Sequence, residues 1–68
     1  MTGAQLRQRR KRLGISMQAL ATEAGIGIGT LQRWETKQPR TELAQRGLDR
    51  YRLEQIEKTI EREERANR

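Results

Sequence analysis

The chain has 68 residues, enough for one small domain with little volume left for a substrate cavity. It contains no Cys and no His, which excludes thiol chemistry, disulfide bonds, imidazole catalysis and the commonest zinc sites. The net charge of +6 favours a polyanionic partner, nucleic acid first. We therefore expect a protein that is not an enzyme, needs no cofactor or metal, and binds no small-molecule substrate.

The charge is unevenly placed along the chain. Residues 1–53 hold 11 basic and 4 acidic side chains, whereas residues 54–68 hold 4 and 5. This difference predicts a basic binding module followed by a charge-balanced helix. No apolar run is long enough to cross a bilayer and the N-terminus lacks a signal-peptide core, so we expect a cytoplasmic protein with no membrane partner.

The first predicted helix begins after Thr2, a suitable N-cap. Leu6, Arg10 and Leu13 recur at the spacing of one helical face. Gly14 then ends the helix, as expected for a left-handed C-terminal position.

Two further short helices follow. Residues 17–24 form the second, and Gly25 stands where the chain must turn. The third spans about residues 27–36, with Leu31 and Trp34 on its inward face.

A basic loop at residues 37–40 precedes the last predicted helix. Thr41 is a suitable N-cap, and the segment from there to Asn67 is compatible with helix, although Gly47 weakens its interior. This segment carries two apolar sets on faces roughly 150° apart, at about 100° per residue. The first set is Ala44, Leu48 and Tyr51, and the second is Leu53, Ile56 and Ile60. Either the helix breaks between the two sets, or one face packs on the domain and the other on a partner.

Two short helices joined by a tight glycine-containing turn describe a helix-turn-helix. Residues 6–44 resemble the phage-repressor and Cro type, the XRE family, through "LRQRRKRLGIS", "ALATEAGI" and "TLQRWE". The resemblance implies an all-α fold: a compact, lambda-repressor-like bundle of four to five helices with an extended C-terminal helix. We expect a helix-turn-helix domain at residues 1–52 and a helical tail at residues 53–68.

The resemblance also implies an ion pair between Arg10 and Glu35 that clamps the first helix to the third. Arg10 lies on an otherwise apolar face, so its charge requires a partner. The pair would direct the guanidinium toward a DNA phosphate. Alternatively, Arg10 passes Leu6 and reaches solvent.

By the same resemblance, the third helix enters the major groove of DNA and reads bases with Ile28, Gly29 and Arg33, assisted by Thr30 and Gln32. Arg33 is a candidate for a bidentate contact with guanine, and Ile28 for a contact with a thymine methyl. The alternatives are that Ile28 belongs to the core and that Arg33 binds only phosphate.

Gly27 replaces the capping Ser or Thr common in the family, and Gly29 replaces a polar reader. We expect both glycines to let the start of the helix approach the phosphates closely.

The predicted phosphate-binding residues are Arg10, Gln18, Gly27, Lys37, Gln38 and Arg40. The family often has a phosphate-binding glutamine at the first position of the second helix, where this chain has Met17. Either Gln18 takes over with a shifted geometry or that contact is missing. The phosphate contacts would then fall on the loop residues together with Arg7, Arg9 and Lys11.

The function expected from these features is sequence-specific binding of a double-stranded DNA operator by a small homodimeric repressor of phage or mobile-element type. Leu53, Ile56 and Ile60 have coiled-coil spacing and are candidates for the dimerisation seam. They fit equally well into the core of their own domain. The alternative function is a protein-interaction module that binds polymerase or a toxin through its tail and has only non-specific DNA affinity.

Overall fold

The computed structural model describes residues 1–43 and 46–67. In these ranges the chain forms four helices: α1 (Gly3–Leu13), α2 (Met17–Ala24), α3 (Ile28–Lys37) and α4 (Gly47–Ala66). The described residues include no strand, only an isolated bridge between Thr2 and Glu42. The predicted all-α fold is confirmed.

Local capping explains where the first two helices begin and end. The Thr2 hydroxyl accepts a hydrogen bond from the Gln5 backbone N–H, and the Gln5 side chain accepts one from the Thr2 N–H, which together form a capping box. The Ser16 hydroxyl caps α2 by accepting a hydrogen bond from the Ala19 N–H at 3.0 Å. Gly14 and Gly25 end α1 and α2 with φ of 70° and 74°, a conformation that glycine adopts without steric cost.

One apolar core joins all four helices. Leu6 of α1, Leu20 of α2 and Trp34 of α3 are almost completely buried. From α4 the core takes Leu53, Ile56 and Ile60, with exposed fractions of 6%, 0% and 0%. Helix α4 packs against both α2 and α1 and so closes one side of the bundle.

The burial of these three α4 residues corrects the prediction that they form a dimerisation seam. They lie in the core of their own domain and are not available to a partner.

Helix α4 is continuous, so the boundary predicted between residues 52 and 53 falls inside it, and the two predicted spans share one core. The other apolar face is the exposed one, with Leu48 62% and Tyr51 59% exposed. Ala44, assigned to that face, lies outside the described residues.

The start of α4 also differs from the prediction. Residues 41–43 are not helical, because they pair with the N-terminus: the Leu43 N–H donates to the Met1 carbonyl at 2.9 Å. The Met1 ammonium group forms an ion pair with Glu42. Helix α4 begins only at Gly47, where φ is 72°. Thr41 is therefore not its N-cap.

The N-terminus of α1 rests directly on the loop between α3 and α4. The backbone N–H groups of Gly3 and Ala4 donate to the carbonyls of Gln38 and Pro39 at 3.2 and 2.9 Å. These are N–H groups of the first helical turn, which have no partner within the helix. A Cβ atom on Gly3 would overlap the carbonyl oxygens of Trp34 and Gln38. The backbones can approach this closely only because residue 3 is glycine.

We predict that Gly3→Ala destabilises the fold by about 1–3 kcal/mol, the usual cost of forcing extra atoms into a packed site. The atoms that it meets are backbone, which cannot rotate away. Urea unfolding measures the effect. Gly29→Ala is the matched control, since a Cβ there meets nothing within 4 Å; equal stabilities for the two variants would contradict the close approach.

Two carboxyl groups meet between α2 and α4. A side-chain hydrogen bond with Glu63 raises the pKa of Glu23 above its ordinary value. The folded state therefore binds this proton more tightly than the unfolded chain does. The protonated Glu23 carboxyl therefore stabilises the fold at low pH, and this stabilisation is lost as the pH rises through the raised pKa of Glu23.

We predict that Glu23→Gln raises the melting temperature at about pH 7 and that its advantage over the parent disappears toward about pH 4.5, where carboxyl groups become protonated. Gln preserves a hydrogen-bond donor toward Glu63 and removes the like-charge repulsion. Thermal melts of both proteins across this range provide the test. An advantage independent of pH would show that the two carboxyl groups do not interact.

Candidate nucleic-acid interface

The turn between α2 and α3 fixes where α3 begins. After Gly25, the Ile26 N–H donates to the Ala21 carbonyl at 2.9 Å, and the Ile26 side chain packs against the core. Helix α3 then starts at Ile28 with Gly27 as its N-cap and no side-chain capping bond. Leu31 and Trp34 hold its inner face in the core, so the opposite face points outward.

That outer face gathers most of the predicted base-reading residues. A shallow concavity is lined by Gly29, Gln32, Arg33, Thr36 and Lys37. Gln32 and Arg33 are exposed, and Thr30 is half-buried at the edge. Ile28 is 46% exposed, so the alternative that it belongs to the core does not hold. These side chains are free to meet a ligand without rearrangement of the core.

The two glycines at the start of α3 are not required by the fold. Neither has a positive φ, and a Cβ on Gly27 or Gly29 would meet nothing within 4 Å. They differ in this respect from Gly3, which the packing demands. Their lack of a side chain leaves the backbone at the N-terminus of α3 open from outside.

The predicted ion pair between Arg10 and Glu35 is confirmed. The Arg10 Nε and Nη2 donate to the two Glu35 carboxylate oxygens, both at 2.8 Å. The Arg10 Nη1 donates to the Ile15 carbonyl at 2.9 Å. The Glu35 side chain is 2% exposed and that of Arg10 10%, and the hydrogen bond with Glu35 raises the pKa of Arg10. This geometry excludes the solvent-reaching alternative.

The same geometry corrects the second role assigned to Arg10. Each of its guanidinium nitrogens donates to a partner within the domain, and its side chain is almost completely buried. We therefore retain Arg10 as the structural clamp between α1 and α3 and do not retain it as a phosphate ligand.

The other predicted phosphate ligands lie at both ends of the helix-turn-helix. Lys37 and Arg40 are exposed in and beside the loop after α3, and Gln38 is half-buried at the end of that helix. Gln18 is exposed in the first turn of α2, whereas its neighbour Met17 packs against the core. Met17 therefore has a structural role, and Gln18 is the polar side chain exposed at that end.

The basic residues of α1 divide into two groups. Arg9 is bound by Glu64, with Nε and Nη2 donating at 3.2 and 2.7 Å, so it ties α1 to α4 and is withdrawn from the predicted phosphate contacts. Arg7 and Lys11 are exposed and line a concavity together with Pro39 of the loop. They extend the positive surface of the loop along α1.

One contact at this surface was not predicted from the sequence. The Arg33 Nη2 lies 3.5 Å from the Asp49 Oδ2, which connects the outer face of α3 to the first turn of α4. The two residues are 16 positions apart, and no periodic pattern links them. Only the path of the chain between α3 and α4 brings them together.

We predict that Glu35→Ala destabilises the domain by about 3–5 kcal/mol, because it leaves the buried Arg10 charge without a partner. The double variant Arg10→Met, Glu35→Leu should recover most of that loss, since it leaves no buried charge. Chemical unfolding of the parent, the single variant and the double variant measures both effects. A single variant as stable as the parent would show that the clamp contributes nothing.

Comparison with known protein families gives one match. The family model described as helix-turn-helix matches residues 6–46, more than half of the chain. The matched span runs from Leu6 in α1 through α2 and α3 to the end of the following loop, and so contains both the clamp and the outer face of α3. No curated protein and no solved structure matches the chain significantly. Among the described residues, no helix is long and apolar enough to span a membrane.

Proposed function

Starting from the fact that this chain belongs to the phage-repressor and Cro-type (XRE) family of helix-turn-helix DNA-binding proteins, we propose that it is a transcriptional repressor of phage or mobile-element type. In this proposal it binds a defined operator as a homodimer, with α3 in the major groove. Sequence-specific binding of double-stranded DNA follows from the family itself. The repressor role, the dimer and the individual contacts are the proposed part.

The observation that carries the proposal is the outer face of α3. Ile28, Gln32 and Arg33 extend from a helix whose inner face is fixed by the core and by the Arg10–Glu35 pair. An exposed apolar side chain, an amide and a guanidinium are the groups that read a thymine methyl, an adenine and a guanine in the major groove. On a rigidly held helix, these groups keep a constant spacing relative to the base pairs.

The glycines at the start of α3 support close approach to DNA. The first N–H groups of a helix lack intrahelical partners and attract phosphate. No side chain caps α3, and neither Gly27 nor Gly29 places atoms between that backbone and solvent. Both glycines forgo helix stability without any internal packing reason, so we assign their role to the contact with DNA.

Phosphate contacts in the proposed complex come from the exposed polar and basic residues on either side of α3. They are Gln18, Lys37, Gln38 and Arg40, with Arg7 and Lys11 on α1. These groups would fix the register of α3 in the groove without adding sequence preference.

The proposed homodimer needs a surface other than the predicted seam, which is buried. Leu48 and Tyr51 are large apolar side chains that the start of α4 leaves exposed. A domain of this size binds one half-site weakly, and two copies on adjacent half-sites are the usual remedy. We therefore assign contact between the two copies to the start of α4.

Selection of random DNA duplexes with the purified protein tests the function. The proposal predicts enrichment of an inverted repeat with half-sites about ten base pairs apart. Binding of the selected duplex should also exceed non-specific binding at two salt concentrations. If no sequence is enriched and affinity falls equally with salt for every duplex, the operator-binding role is wrong.

We predict that Gly29→Ala stabilises the free protein by about 0.5–1 kcal/mol and weakens its binding to the selected duplex. Ala favours helix over Gly, here in the first turn of α3, and in the proposed complex its methyl group occupies space that the DNA backbone needs. Thermal melts and a binding titration on the same preparation separate the two effects. Unchanged affinity would remove Gly29 from the interface.

We also predict that Arg33→Ala relaxes preference at one base position, by about 1–3 kcal/mol. Lys37→Ala, matched in charge, should instead weaken binding to all sequences about equally and reduce the salt dependence. Titrations of single-base variants of the selected duplex measure the difference. Equal losses on every variant for Arg33→Ala would assign Arg33 to phosphate contact alone.

A further inference from the structure

Asp49 brings a negative charge to the edge of the proposed DNA-reading surface. Its Oδ2 lies 3.5 Å from the Arg33 Nη2 on α3. Its Oδ1 accepts a hydrogen bond from the Arg52 Nη1 at 3.0 Å. The carboxylate is thus held between two guanidinium groups, one from each helix.

The position of Asp49 does not depend on Arg33. Asp49 lies in the first turn of α4, where the helix N-terminus favours a negative charge. Arg52, three residues further along the same helix, pairs with the carboxylate oxygen that Arg33 does not contact. Asp49 therefore has a second partner on its own helix, and the longer Arg33 side chain can be oriented by it.

The contact leaves Arg33 able to bind DNA. The Arg33 side chain is 48% exposed even while paired. A guanidinium presents N–H donors along more than one edge, so one edge can face Asp49 while another faces the O6 and N7 of guanine. The carboxylate also repels phosphate, which disfavours a swing of Arg33 toward the DNA backbone.

We propose that Asp49 is a specificity-determining residue that orients Arg33 for reading a base. This inference rests on the proposed function. Asp49 itself acts through Arg33. It restricts Arg33 to fewer rotamers before DNA binds, so that less side-chain entropy is lost on binding. It also directs the guanidinium to the groove floor.

The test compares Asp49→Asn with the matched control Glu54→Gln. Glu54 lies on the same helix and pairs with Arg50 at 3.6 Å. Each change therefore removes one negative charge from α4, but only the first affects α3. Both variants should bind all DNA slightly more tightly because the net charge rises. Only Asp49→Asn should lose discrimination at the base read by Arg33, by up to about fivefold, the value of an exposed ion pair.

Three outcomes would overturn the inference. One is an identical base-preference profile for the two variants. Another is operator binding by Asp49→Asn that is tighter than that by Glu54→Gln, with unchanged discrimination, which would mean that Asp49 competes with DNA for Arg33. The third is a difference in base preference between the two variants that persists when each is combined with Arg33→Ala.

Two checks separate this inference from the function on which it rests. Circular dichroism of every variant confirms that each is folded. Failure of the parent protein to select any operator would refute the proposed function and this inference together. A selected operator with matching profiles for the two variants would refute the role of Asp49 alone.

Discussion

The buried ion pair between Arg10 and Glu35 is the constraint on which the rest of the structure depends. Its bidentate geometry fixes α1 relative to α3, and the third bond from Arg10 to the Ile15 carbonyl fixes the turn that leads into α2. A charge buried this deeply is tolerated only with such partners. The pair therefore sets the orientation of α3 at a point where a purely apolar contact would be less directional.

The remaining contacts leave the outer face of α3 exposed, with Arg33 paired to Asp49 at its edge. The loop after α3 is held by the N-terminus of α1 through backbone bonds to Gln38 and Pro39. Helix α4 closes the core from the other side with Leu53, Ile56 and Ile60. The stabilising contacts thus lie behind and beside α3. Its own first turn lacks a side-chain cap, and in the proposed complex the backbone groups left there face the DNA.

The sequence predicted the features that depend on local chemistry. The cap at Thr2, the glycine ends of α1 and α2, and the inward positions of Leu31 and Trp34 follow from spacing and residue type. The resemblance added the partner of Arg10. The start of α4 was mispredicted because residues 41–43 bond to Met1, a contact between distant parts of the chain. The spacing of Leu53, Ile56 and Ile60 fits a core and a dimer seam equally well. The roles of Gly3 and Asp49 come from contacts with residues distant in the sequence, which only the fold brings close.

In the proposed function, α3 is presented rigidly to a defined DNA sequence. Amide chemical-shift mapping of the labelled protein with its selected duplex tests this most directly. We expect the largest changes at residues 27–33 and in the loop at residues 37–40, with smaller changes for a scrambled duplex. Changes confined to α4, or equal changes with the scrambled duplex, would contradict this role of α3.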